Sequence, residues 1–258
     1  MIRYIPVSLV LGAALLVSGP GCGGKPDSEK SEKKELVILC GSSFVPPTKA
    51  LLAAFKKEHP NVDLPMTAAG SEDFLPQVTS RQVGSILVTH DPYLDYVRQA
   101  GATADHVQVG YVAPVLAVQP GNPKGLKGVA DLARPGLKVA LSNPQYSTCG
   151  EMVRDLLKKK DLYEAVMTNV GNRLTKGHHN LGNFLKTKTV DAVMMWNGVA
   201  HTFRGSLDVI KTPYEYDTER RVHVIGLNYA QDQDVVQAFI DFAKREGAQI
   251  FADYGYVK

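Results

Sequence analysis

The segment Glu35–His59, ELVILCGSSFVPPTKALLAAFKKEH, holds the pattern on which the fold is read. Its first six residues are largely apolar and β-branched, which predicts a buried strand. Gly41-Ser42-Ser43 then forms a turn, and Pro46-Pro47 stands where a helix accepts proline, in its first turn. ALLAAFKKEH continues as a helix with lysines near its end, where cations suit the helix dipole. The unit is strand, turn, helix. It recurs downstream, with strands expected at Val62–Ala68, Ser85–Thr89, Val107–Val118, Lys138–Leu141, Asp191–Met195, Leu207–Ile210 and Val222–Ala230, and helical segments between most of them. Such alternation predicts an α/β chain whose sheets are covered by helices.

Two of these runs, Val107–Val118 and Val222–Ala230, lack a break and exceed the usual strand of about 5–6 residues. Strands of that length can pass from one lobe to another. The expected architecture is therefore two-lobed, with a ligand cleft between lobes joined by two crossing strands. Residues 35–112 and 224–258 form lobe 1, and residues 113–223 form lobe 2. No internal repeat is present.

The N-terminus, MIRYIPVSLVLGAALLVSGPGC, carries Arg3, then an apolar run over Tyr4–Val17, then small residues ending at Cys22. This predicts a signal peptide over residues 1–22, because the apolar run falls short of the roughly 20 residues a membrane span needs. Residues 23–34, GGKPDSEKSEKK, contain no large apolar side chain and are expected to form a flexible charged linker. The expected location is outside the cytoplasm, in the periplasm or at the cell surface. The chain of 258 residues carries 29 basic and 26 acidic residues spread along its length, for a net charge of +3. Without a concentrated basic patch, nucleic acid is not an expected partner. Beyond Cys22 only Cys40 and Cys149 remain, too few for a disulfide framework, and they form one bridge or none.

In open α/β sheets ligands sit beyond the carboxyl ends of strands, where helix N-termini present backbone N–H groups. Three turns there carry hydroxyl or thiol residues: Cys40-Gly41-Ser42-Ser43, Ala69-Gly70-Ser71 and Ser147-Thr148-Cys149-Gly150. Neutral donors at helix starts suit an anion without requiring Arg or Lys. Serine and threonine are also the commonest helix caps, so each turn alone is equally readable as a cap.

Taken together, these segments resemble the periplasmic molybdate-binding proteins of ABC importers, a branch of the type II solute-binding fold. VILCGSSF with FKKEHPNVDL is similar to that family's first strand, ligand loop and helix, and AGSEDFLPQV to its second serine loop. LSNPQYSTCGEMVRDLL resembles the third loop and helix, VDAVMMWNGVA a strand near the cleft, and FAKREGAQIFADYGYVK the C-terminal helix and ending. The resemblance implies a binding protein rather than an enzyme, with no cofactor, whose ligand is a small oxyanion, molybdate or tungstate, delivered to an ABC permease and its ATPase. It implies ligand-binding roles for Ser43 and Ser71, with Ser42 and Gly70 in the same turns, and for Cys149, Gly150, His178 and Trp196. Three positions depart from the family. Cys149 replaces a small residue, His178 an aliphatic one, and Trp196 a tyrosine. Cys22 resembles the cysteine that bacterial lipoproteins acylate, with Gly19 and Pro20 departing from the usual residues before it. A lipid there would anchor the protein to a membrane.

Two other readings use the same residues. A transition-metal site would draw on Cys40, Cys149, His178 and His179, with His90, Met194 and Met195 nearby in type. Against it, no Cys or His follows His178-His179 at helical spacing, the methionines fit a buried strand, Cys40 fits a core, and His90 reads as a surface turn. An enzyme would use Cys149 as nucleophile and His178 as base. No Gly-x-Ser-x-Gly, phosphate loop or His-Glu-x-x-His accompanies them.

Overall fold

The structure, a computed structural model, describes residues 34–210 and 220–257. The expected signal peptide, the linker up to Lys33 and Cys22 lie outside the described residues. All described residues belong to one compact unit, Lys33–Lys258.

The chain begins β1 (Lys34–Glu35), β2 (Ile38–Gly41), α1 (Val45–Glu58), β3 (Val62–Asp63), β4 (Met66–Ala69), α2 (Ser71–Thr79), β5 (Ile86–His90), α3 (Tyr93–Gln99) and β6 (Thr103–Val112). The second part runs β7 (Pro114–Val118), β8 (Val139–Ser142), α4 (Thr148–Lys159), α5 (Tyr163–Val170), β9 (Leu174–Thr175), α6 (His178–Lys186), β10 (Ala192–Trp196), α7 (Asn197–Thr202) and β11 (Asp208–Val209). β12 (Arg220–Leu227) and α8 (Gln233–Asp253) complete it. Two five-stranded mixed sheets result, ordered β4-β2-β5-β12-β6 and β11-β7-β10-β8-β9. Two helix-covered sheets of this kind are the α/β architecture that the resemblance implies.

The first sheet shows how alternation builds two faces. Ile38, Cys40, Ile86, Val88 and Val224 join one apolar cluster, while Leu39, Leu87 and Ile225, one step along the same strands, join another. Successive strand side chains point to opposite faces, so each face needs its own helices. α8 and α1 cover the first face, with the Phe55 ring 5.0 Å from Phe239 and 5.5 Å from Phe242. Phe74 and Val78 of α2, with Leu94 and Val97 of α3, fill the second. The larger cluster extends into the second sheet through residues such as Leu116, Ala140 and Met194.

Several expected runs divide. Val62–Ala68 splits at Leu64-Pro65, since proline has no N–H for a ladder. Val107–Val118 splits at Ala113, where the chain leaves the first sheet as β6 and enters the second as β7. The other long run does not cross within the described residues. Arg220, Arg221, Val222 and His223 already pair with β6 in the first sheet. β9 was not anticipated; at two residues it is too short to carry a period.

The crossing at Ala113 is held by Asn197. The Asn197 amide N–H donates to the Ala113 carbonyl at 3.0 Å, and the Ala113 N–H donates back to the Asn197 side-chain oxygen at 3.2 Å. The same side chain donates through Nδ2 to the carbonyls of Tyr111, Gly255 and Val257. One side chain thus ties the crossing to the C-terminal tail. No helix of the described residues is long and apolar enough to cross a membrane.

Candidate functional site

A small cavity of about 40 Å³ opens where the carboxyl ends of β2, β5 and β10 meet the starts of several helices. A buried water needs roughly 10–15 Å³ by the same measure, so the space suits a ligand of few atoms. Gly41–Phe44 lead into α1, Gly70 and Ser71 start α2, Ser147 and Thr148 start α4, and Lys176 and His178 flank the start of α6; all line the cavity. Each helix start brings N–H groups without intrahelical partners and about half a positive charge, although Pro46 and Pro47 supply no N–H in α1 and Ser147 accepts one in α4. Four of them converge.

The hydroxyls are oriented from behind. Thr89 Oγ1, buried on β5, donates to Ser71 Oγ at 2.8 Å, which leaves the Ser71 hydrogen free to donate elsewhere. On the opposite wall Ser147 caps α4, accepting the Gly150 N–H at 3.3 Å. His178 stands behind it, with Nε2 3.4 Å from Ser147 Oγ and Nδ1 3.3 Å from Ser142 Oγ. When the neutral ring carries its proton on Nε2, Ser142 donates to Nδ1, Ser147 accepts twice, and the Ser147 hydrogen is left to face the cleft. The other tautomer draws that hydrogen back onto the ring.

His178 is buried, and desolvation, with the neighbouring His90 and His179, lowers its pKa to about 3. His90, also buried, is lowered to about 4 mainly by desolvation. Both rings are therefore neutral near pH 7. Trp196 sits between them, its ring centroid 5.6 Å from each and stacked on His178. His90 is not the surface turn expected of it: its Nδ1 lies 2.7 Å from the Asp91 carbonyl. The Asp91 carboxylate in turn accepts from Arg221 Nε at 2.8 Å and lies 2.9 Å from His223 Nε2, which fixes the end of β5.

Of the residues singled out from sequence, Ser42, Ser43, Gly70, Ser71, His178 and Trp196 line the cavity, whereas Cys149 and Gly150 do not. Cys149 is fully buried in the core, and desolvation raises its pKa well above the usual thiol value. Gly150 is required by packing, since a Cβ there would come within 2.6 Å of the Ser142 carbonyl oxygen. Cys40 likewise turns inward, its thiol 3.3 Å from Thr48 Oγ1 and pushed up to about 12 by burial. Both cysteines are free. His179 is exposed, 6.1 Å from the Phe203 ring. Among the described residues no group of three or more His, Cys, Asp or Glu could hold a metal ion, so Cys40, Cys149, His178 and His179 do not assemble one.

Sequence reasoning missed Ser147 and Thr148 as the cleft-facing members of their turn, and with them Tyr146, His90, Glu72 and Lys176. The available signal was the helix-cap preference, which selects Ser147 as the residue whose hydroxyl stays at the helix mouth. Lys176 and Asp73 span the cleft, with Lys176 Nζ 3.1 and 3.2 Å from the two carboxylate oxygens.

The sequence model of the bacterial extracellular solute-binding proteins matches residues 36–257. The chain belongs to this family. Its members bind a solute and hand it on without transforming it, and the chain is accordingly no enzyme. Among its relatives, the molybdate-binding protein ModA of Mycobacterium bovis is 27% identical over 194 residues, covering 70% of this chain and 74% of ModA. The periplasmic molybdate-binding protein of Azotobacter vinelandii superposes with a TM-score of 0.70 at 15% identity, covering 86% of this chain and 99% of that one. The sulfate-binding protein SubI of Mycobacterium tuberculosis gives 0.69 at 16% identity, covering 86% of each. These solved structures show the fold. The family and its fold make this an exported solute-binding protein of the type II class, distantly related to ModA.

Proposed function

We propose that this binding protein captures a tetrahedral oxyanion, molybdate or tungstate first, and delivers it to an ABC permease and its ATPase. The observation that carries the reading is the meeting of four helix starts and the oriented hydroxyls of Ser71 and Ser147 at one cavity a few atoms wide. Hydroxyl and amide donors with helix dipoles stabilise an anion whose oxygens only accept, and enclosure strengthens each bond. Ser42, Ser43, Gly70, Ser71, His178 and Trp196 are the proposed wall of the site. The resemblance to ModA favours molybdate and tungstate, which are larger than sulfate, the ion named for SubI.

Calorimetric titration with molybdate, tungstate, sulfate and phosphate tests the reading. One equivalent of molybdate or tungstate bound per chain is expected, and silence with all four ions overturns it.

The protein is further proposed to be tethered by a lipid on Cys22, with residues 23–34 as leash. A Cys22→Ser variant is expected to move from the detergent phase to the aqueous phase on phase separation.

A further inference from the structure

Among the described residues lining the cleft, Glu72 is the only carboxylate and Lys176 the only amine. Glu72 is the second residue of α2, and its carboxylate folds back over Gly70, where an added Cβ would collide with Oε1. It therefore stands beside Ser71, on the wall that must approach an anion. Lys176 offsets it only in part, because its hydrogen bonds on this side both go to Asp73. Glu72, Asp73 and Lys176 together leave one net negative charge at the mouth of a site built from donors. An anion entering beside an ionised Glu72 would meet like charge in a partly desolvated space, where screening is weak.

We propose that Glu72 couples capture to proton uptake: the tetrahedral dianion is held with the Glu72 carboxyl protonated, so the cleft takes one proton from solvent with each ion. This rests on the oxyanion reading above and adds to it a condition on binding. The neutral carboxyl turns from a repelling acceptor into a further donor. Burial already raises the pKa of Glu72, with Asp73 adding to the rise and a backbone hydrogen bond and Lys176 opposing it.

The other groups facing Glu72 are accounted for. Tyr93 of α3 keeps its proton, its pKa raised by burial and, in smaller part, by Glu72 and by Glu151 of α4. Tyr146, from the turn before α4, lies under Lys176, its ring 5.8 Å from Nζ. His90 and His178 line the same cavity and are the competing proton acceptors.

The test is calorimetric titration of the purified protein with sodium molybdate from pH 5.5 to 8, in two buffers of different ionisation enthalpy, for the wild type and Glu72→Gln. By linkage, uptake of one proton weakens binding by up to about tenfold per pH unit above the carboxyl pKa. The wild type is expected to show that slope and about one proton taken up, and Glu72→Gln is expected to bind with neither and to be the tighter binder at pH 8. Proton uptake that persists in Glu72→Gln assigns it to the histidines and overturns the proposal. Binding without proton uptake in the wild type overturns it as well, while leaving the oxyanion reading intact. Failure of both proteins to bind molybdate at any pH, together with silence toward tungstate, sulfate and phosphate, overturns the oxyanion reading itself, and this inference with it.

Discussion

The two walls of the cleft solve one problem with different chemistry. On the first, Ser71 is oriented by Thr89, a buried hydroxyl that carries no titratable proton. On the second, Ser147 is oriented by His178, whose ring places a proton on one nitrogen or the other and has Ser142 behind it. A hydroxyl behind a serine gives an arrangement independent of pH. An imidazole gives one that depends on which nitrogen holds the proton, and since burial beside Trp196 keeps the ring neutral, the tautomer decides it. The hydroxyl of the second wall is thus the conditional one.

Breaking both walls at once has the largest expected effect. A hydrogen bond to a charged ligand contributes about 1.5–3 kcal/mol, so Ser71→Ala and Ser147→Ala each weaken oxyanion binding by about 10- to 100-fold. The double variant is expected to show no saturable binding by calorimetry.

The conditional wall is then separated from the other by acid. His178 and His90 titrate at about 3 and about 4 in the folded protein, below the value of about 6.5 for an exposed histidine. Between those values the unfolded chain binds more protons, so stability present above pH 6.5 is lost progressively as the pH falls. The melting temperature is expected to drop between pH 7 and pH 4, and to drop less in His178→Asn, followed by circular dichroism.

A smaller effect sharpens the contrast. Thr89→Val keeps the shape of the first wall but removes the donor behind Ser71, at a cost of about 1 kcal/mol. Affinity is expected to fall by about fivefold with its pH profile unchanged. The smallest effect is expected at Cys149, which sits behind the second wall without lining it. Cys149→Ala should change affinity less than twofold while lowering stability by about 1 kcal/mol, measured by urea unfolding.

How far the sequence could be read follows from the range over which each signal acts. Strand, turn and helix around Glu35–His59 are local, and the three hydroxyl-bearing turns were visible because caps and strand ends leave marks on neighbouring residues. Which residue of a turn faces the ligand was not. Along the start of α4 successive side chains swing about 100° apart, so Ser147 opens to the cleft while Cys149, two residues on, enters the core. The run Val107–Val118 hid its break because Ala113 is as apolar as its neighbours. His90 reads as a turn residue before Asp91-Pro92, and it is the rings of Phe44, Tyr93 and Trp196, brought together by the fold, that bury it. The Lys176–Asp73 contact joins residues 103 apart, a distance over which no periodicity speaks.

Trp196, Asn197 and Gly198 are adjacent along the chain yet serve separate parts of it. Trp196 lines the cavity, Asn197 holds the crossing at Ala113 and the carbonyls of the tail, and Gly198 leaves room for the Tyr256 ring, whose hydroxyl donates to the Ser43 carbonyl. An insertion or deletion of one residue in β10 would put all three out of register together. A substitution at residue 196 therefore alters the cavity lining alone, whereas any change in length at this spot forfeits the pocket, the joint and the seat of the C-terminus in a single mutational event.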